Sequence, residues 1–329
     1  MEDTITDELT GGQDICAVTV TYHPDAEILL RVARTLRQVG ALVIVDNGSS
    51  DAELGILRRV ATNSLVTLIS NLNNVGIARA LNIGIRRAIA RGFKWVLLLD
   101  QDSSIDDDMV QTLIAVRAAY PDRDRLGVIG CGYREFKSRL HERKEAIVGD
   151  NWDEVASVIT SGSLIPLTAH AAVGAFRDDF FIDHVDTEYC FRARAKGYRV
   201  IRTRKHLMSH AIGAISRHKV LWMKKWTFNH APDRRYYIVR NDTVLLREFG
   251  QYMFGLWALK SFGRCVRLCK RIVLYEEMKA RKLFAVAQGF WDGVRGNMGP
   301  RPHRQSGYAE VLEGERTRSK SPHAVNRRS

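Results

Sequence analysis

The run Val96-Leu97-Leu98-Leu99, led in by Lys94-Trp95 and stopped by Asp100-Gln101-Asp102, constrains the fold more than any other stretch. Four apolar residues without alternation fit a strand buried on both faces of a parallel sheet. Open α/β sheets bind ligands outside the carboxyl ends of such strands. Two carboxylates one residue apart at that place suit a hard divalent cation, Mg2+ or Mn2+, and through it a diphosphate. The same acids also suit a polar turn that only ends the strand.

Neighbouring segments repeat the pattern. Ile15–Thr21 (ICAVTVT), Ala41–Val45 (ALVIV) and Leu65–Ser70 read as strands. Between them the apolar spacing predicts helices from Pro24-Asp25 to Gln38, from Asp51 to about Thr62, and over Ile77–Arg91. This alternation predicts an α/β fold, a mostly parallel sheet flanked by helices. Right-handed crossovers bring the strand ends to one edge. The clusters Thr21/His23, Asp46/Asn47/Ser49, Asn74/Gly76 and Asp100/Asp102 would then line that edge. Each alone is ordinary turn chemistry; four together point to a site. No GxGxxG follows the first strand and no GxxxxGK[ST] occurs, so a diphosphate would depend on the metal.

With 329 residues, 45% of them hydrophobic, the chain can build one large or two medium domains. No apolar run reaches the ~20 residues of a spanning helix. The acidic opening MEDTITDELTGGQD does not read as a signal peptide, so residues 1–14 are expected to be a disordered leader of a cytoplasmic protein. Five cysteines without a CxxC pair are expected to stay reduced and mostly buried. The net charge of +13 is uneven: fourteen Lys/Arg stand against the single acid Asp233 between Arg192 and Arg240. Such a basic half suits a polyanionic partner: nucleic acid, a nucleoside diphosphate or anionic lipid.

The segments VTVTYHPD (18–25), VIVDNGSSD (43–51), NLNNVGIARALNIGI (71–85) and LLLDQDSSI (97–105) together resemble glycosyltransferase family 2, whose fold is termed GT-A. TYHPD, the DQD form of the acidic motif and RRYYIVRN (234–241) most resemble its rhamnosyltransferase branch. The resemblance covers about residues 15–250. It implies a nucleotide-binding half at 15–105 and an acceptor-binding half at 106–250. It implies a nucleoside diphosphate-sugar donor, dTDP-L-rhamnose, and a glycan or lipid-linked glycan acceptor, with no nucleic acid partner. Carried onto this chain, it places Thr21, His23 and Asn47 around the nucleotide pocket. Asp46 would accept the pyrimidine N3–H, a charge-assisted hydrogen bond; a helix cap or Asx-turn is the plain alternative. Asn74 and Gly76 would border the base and ribose, Asn82 would support that wall, Asp100 would sit by the ribose and metal, and Asp102 would ligate the metal.

Farther on, a helix is expected from Val185, with Gly197 ending it and Tyr198–Ile201 as a strand. The resemblance makes Asp186 the catalytic base, although Val185 replaces the family's usual Glu. Asp183, three residues earlier, is the alternative base, and Glu188 would contact acceptor or diphosphate; equally, Asp183 caps the helix while Asp186 and Glu188 complement its dipole. His210, in HLMSHAIG, would join the metal ligands by the same resemblance. Gly162 either lets acceptor or diphosphate approach closely or forms a bulge. Arg134–Asp150 reads as an irregular surface excursion, and Arg217–Lys225 as a basic loop that closes over diphosphate or docks on membrane. Arg235 or Arg240 would contact phosphate, or the RRYY helix start is simply packed. Residues 251–294 read as C-terminal basic amphipathic helices, with Lys260, Arg264, Arg267 and Arg271 along one stripe. Peripheral contact with an anionic leaflet and packing on the domain both fit them. From 295 the chain reads as a disordered basic tail.

The expected activity is inverting transfer of a sugar, with an Asp base and a divalent metal on the diphosphate. Three alternatives stay open on sequence alone: a UDP-sugar donor, a sugar-1-phosphate nucleotidylyltransferase, and a basic membrane- or nucleic-acid-binding module.

Overall fold

In a computed structural model the described residues are 9–135, 151–210, 215–220, 223–252 and 256–301. For residues 134, 135, 210, 215–220, 223–228, 252, 256–260 and 262 the backbone alone is described. Residues 1–8, most of the expected excursion at 134–150, and the tail beyond Arg301 lie outside these. The chain divides into two compact units, Met1–Ala211 and Ile212–Ser329.

The first unit is built on one nine-stranded sheet. In chain order its elements are β1 (Ile15–Thr21), α1 (Ile28–Leu36), β2 (Ala41–Asp46), α2 (Asp51–Val60), β3 (Val66–Ser70), α3 (Ile77–Ala90), β4 (Trp95–Asp100), β5 (Ser103–Ile105) and α4 (Met109–Ala119). There follow β6 (Leu126–Glu135), β7 (Trp152–Glu154), β8 (Ser163–Pro166), α5 (Leu167–Val173), α6 (Val185–Ala195) and β9 (Arg199–His210). The strand order is β3-β2-β1-β4-β8-β6-β9-β5, with β7 on β9. The first four strands are parallel, as the helical crossovers require. Beyond β4 the sheet is mixed: β8 runs antiparallel to both neighbours, β6 and β9 are parallel, and β5 and β7 are antiparallel to β9.

The focal apolar run is what this topology needs. Val96, Leu97 and Leu98 are 0% exposed at the middle of the sheet. Full burial of such side chains stabilises by about 1.5–3 kcal/mol each. Register sets the carboxyl edge: Thr21 lies beside Asp46, Asp46 beside Ser70, and Val20 beside Asp100.

Two local expectations are corrected. Residues 9–14 are not a loose leader. Leu9 is buried, the Thr10 amide and hydroxyl donate to Asp14, and the Gly40 amide donates to the Gly12 carbonyl. The strand expected at 198–201 runs on to His210, because it finds in β6 a long-range partner that no local pattern reveals.

The second unit carries a β-hairpin, β10 (Ile215–Val220) with β11 (Met223–Phe228), then α7 (Pro232–Phe249), α8 (Leu256–Tyr275) and α9 (Lys279–Arg295). The basic stretch at 217–225 thus lies mostly in paired strands rather than a free loop. The helix that begins at RRYY belongs to this unit, not to the sheet. Glycines at 289 and 293 let α9 approach α7: a Cβ at Gly289 would lie 2.4 Å from the Tyr236 carbonyl oxygen, and one at Gly293 2.7 Å from that of Arg240. The chain past α9 is held back on α7, where Arg301 pairs with Asp233 at 2.6 Å and its amide donates to the Tyr237 hydroxyl.

Candidate active site

The carboxyl edge of β1–β4 is a web of short polar side chains bonded to backbone. Asp46 is 0% exposed and takes four donors: the Thr21 hydroxyl at 3.0 Å, the Ser49 hydroxyl at 2.5 Å, and the Gly48 and Ser49 amides at 3.2 and 2.9 Å. That fills the roughly four lone-pair sites of a carboxylate. Thr21 is equally buried, so its hydroxyl supports Asp46 rather than facing a ligand. The Asn47 amide group donates to Asn74 at 2.9 Å, and its carbonyl oxygen accepts from the Val75 amide at 3.0 Å. Asn74 also accepts the Gly76 amide at 2.9 Å. These bonds freeze the loops after β2 and β3 into one rim.

His23 sits at positive φ (50°) on that rim, its Nδ1 2.7 Å from Glu53, which also accepts from the Ser50 hydroxyl at the start of α2. Gln101, between the two acids, clamps the loop after β1: it accepts from the Tyr22 amide at 2.8 Å and donates to the Tyr22 carbonyl at 3.0 Å. The middle residue of the DQD motif thereby continues the β1–β4 ladder with a side chain. Asp100 and Asp102 are both half-buried at this place.

On the other side of β4, the turn before β8 comes up beside the acids. Ser161, 1% exposed, accepts from the Asp100 amide at 3.0 Å and donates to the Ser103 hydroxyl at 2.7 Å. The adjacent Thr160 amide donates to Asp186 at 3.1 Å. A continuous bonded path therefore joins Asp100 to Asp186. The backbone of His210 pairs with Ser103, one residue past Asp102; the side chain of His210 lies outside the described residues. Sequence reasoning singled out Gly162 but gave Ser161 no role. Its only signal was polarity ahead of a buried strand.

Asp186 stands in the first turn of α6, where the helix dipole favours a negative charge. Thr187 donates its amide to Asp186 at 2.7 Å. Burial nevertheless pushes the Asp186 carboxyl above the ordinary aspartate value, against the lowering effect of His184 and these hydrogen bonds. The approach to it is strained: Phe181, Asp183 and His184 all have positive φ, near 60°. Behind it, Asn82 braces the preceding loop, donating to the Phe176 carbonyl and to Asp178 at 2.7 Å each and accepting from the Phe176 amide at 3.0 Å. Gly76 (φ 85°) lies so close to Phe181 that a Cβ would be 2.7 Å from its ring, and Ile77 donates to the Phe181 carbonyl at 2.7 Å.

Three candidates are turned inward. Gly162 is needed at φ 80°, but a Cβ there would meet the Cys131 sulfur at 2.4 Å, so its missing side chain makes room for the core and not for a ligand. Glu188 is 1% exposed and accepts from Nε and Nη2 of Arg192 at 2.8 and 2.9 Å. Arg240, in the second unit, is 0% exposed, stacks on Tyr236 and Tyr237, and donates to the Gly299 carbonyl. Among the described residues no group of three His, Cys, Asp or Glu stands together as a metal site.

A family-wide sequence profile, Glycosyl transferase family 2, matches residues 16–160. The dTDP-rhamnosyl transferase RfbF of Shigella flexneri is 31% identical over 255 residues, 72% of this chain and 81% of the relative. Two solved structures share the fold at low identity. TarS 1–349 of S. aureus gives a TM-score of 0.54 at 14% identity, covering 86% of this chain and 81% of that one. The mannosyltransferase PcManGT of Pyrobaculum calidifontis, solved with GDP-Man and Mn2+, gives 0.52 at 16%, covering 95% and 82%. With a GT-A-like sheet that gathers acids along its carboxyl edge, and a rhamnosyl transferase as a relative along most of its length, the chain belongs to glycosyltransferase family 2.

Proposed function

We propose that this glycosyltransferase moves L-rhamnose from dTDP-L-rhamnose onto a hydroxyl of a glycan or lipid-linked glycan, inverting the anomeric centre. The donor is suggested by the RfbF relative. The observation that supports the mechanism is the bonded path from the Asp100 amide through Ser161 and Thr160 to the Asp186 carboxylate. Asp186 takes the proton of the acceptor hydroxyl as that oxygen attacks the anomeric carbon. The bond from that carbon to the diphosphate oxygen breaks on the opposite face, and the nucleoside diphosphate leaves with the electron pair. A carboxyl held above its ordinary pKa is a stronger base for this step.

Asp100 and Asp102, one residue apart and both half-buried, offer hard oxygens of the kind that would hold Mg2+ or Mn2+. His210 is the further candidate ligand. Such an ion supplies charge neutralisation on the departing diphosphate. The pyrimidine is assigned to the rim at Asp46. Since that carboxylate is filled, N3–H would bind by replacing the Ser49 or Thr21 hydroxyl.

Asp186→Asn keeps the shape of the site and should lower turnover by about 10²–10⁴-fold with nucleotide binding intact. Unchanged turnover would sink the base assignment. A panel of nucleotide-sugars, followed by nucleoside diphosphate release, tests the donor: faster release from a UDP-sugar replaces dTDP-rhamnose. Chelation with EDTA should abolish transfer, with Mn2+ or Mg2+ restoring it.

A further inference from the structure

The α8–α9 pair leaves bulky apolar side chains in solvent. Phe284 is 68% exposed, Trp291 53% and Val294 47%. With Ala287 they recur at i, i+3, i+7 and i+10, one stripe of α9. The opposite side, Lys282, Ala285, Val286, Gly289 and Gly293, is buried. The stripe is therefore not a core face left over; the helix already has its core on the other side. Phe290 lies next to it and is half-exposed. On α8, Val266 and Val273 are also in solvent, two turns apart with Lys270 between them.

Charge decides what such a surface suits. Arg267, Lys270, Arg271, Lys279, Arg281 and Arg295 are exposed, whereas among the acids of this stretch only Glu277 is. Glu276 is buried against Lys282 at 2.9 Å. The Arg295 guanidinium stacks over Trp291, its centre 4.4 Å from the ring centroid, so cation and aromatic lie together. A second copy of the chain would bring the same positive charge to the contact. Anionic headgroups complement it, and aromatic and aliphatic side chains between bases match the interface of a bilayer. No helix among the described residues is long and apolar enough to cross a membrane, so the contact would lie in the plane of the leaflet.

We infer that the outward faces of α8 and α9 form a docking surface for an anionic phospholipid bilayer. Phe284, Trp291 and Val294 enter the interface while Arg267, Lys270, Arg281 and Arg295 meet the headgroups. The inference concerns the second unit alone and does not depend on donor or base.

The test is co-sedimentation of the full chain with phosphatidylcholine vesicles, with and without phosphatidylglycerol, in the absence of nucleotide-sugar. Binding should require phosphatidylglycerol and weaken with salt. The double variant Phe284→Ser, Trp291→Ser should keep the wild-type circular dichroism and dTDP binding but lose at least about tenfold in vesicle affinity, as removal of two ring contacts predicts. Equal binding to neutral vesicles, a double variant that binds as wild type, or a solution dimer that the double variant abolishes would overturn the inference. The last result would assign the stripe to a contact between copies.

Discussion

Asp186 accepts a proton only when ionised, and burial holds its carboxyl above the ordinary 3.8. Activity should therefore fall as pH drops through a value higher than 3.8. The acid limb of the kcat/KM profile reads that value, and its loss in Asp186→Asn would identify the group. Asp46 makes a different prediction. Its negative charge is held by four donors, two of them amides that cannot turn away. Asp46→Asn should cost about 1–3 kcal/mol of stability, seen as a lower denaturation midpoint, and weaken dTDP binding. Ser49→Ala frees one lone-pair site, so calorimetric affinity for dTDP should hold or rise. Asp46 was legible as a residue because aspartate at a strand end is conspicuous. Its saturation was not, since the donor Thr21 comes from another strand, 25 positions away.

At the scale of elements, β1, β2 and β4 could be read from their apolar runs, because burial on both faces leaves no alternation. α6 and the glycine after it were legible from local chemistry. Gly197 takes positive φ and its amide closes on the Arg194 carbonyl. The mixed half of the sheet was not legible. β8 is four residues long, and its direction is set by pairing with β4 and β6 rather than by its own composition. The clamp made by Gln101 was not legible for the same reason: its partners are the backbone groups of Tyr22, far away in sequence. The close approach of α9 to α7 predicts that Gly289→Leu, a good helix former, destabilises the second unit by about 1–3 kcal/mol through overpacking. Urea unfolding followed by far-ultraviolet circular dichroism measures it.

At the scale of the molecule, the sequence reading set the family resemblance over about residues 15–250, and the fold divides that span between two compact units at Ala211. Buried charges tie α7 to α9 and to the turn between α8 and α9. Arg235 and Lys282 share Glu276, with all three nearly or fully buried. Glu276→Gln would strand two cations in a dry interior. It should cost about 3–5 kcal/mol, lowering the thermal transition of the second unit. Burial already pulls the neighbouring His230 down to about 3, so that imidazole stays neutral and offers no compensating switch.

The seating of Phe181 on Gly76 couples the loop after β3 to the segment that leads into α6. Gly76, proposed to border the donor, also pins the contorted four-residue arch leading to Asp186, the proposed base. A single methyl added at Gly76 should thus slow turnover as well as loosen donor grip. The arch would be levered out of place from the loop after β3, with Asp186 itself untouched.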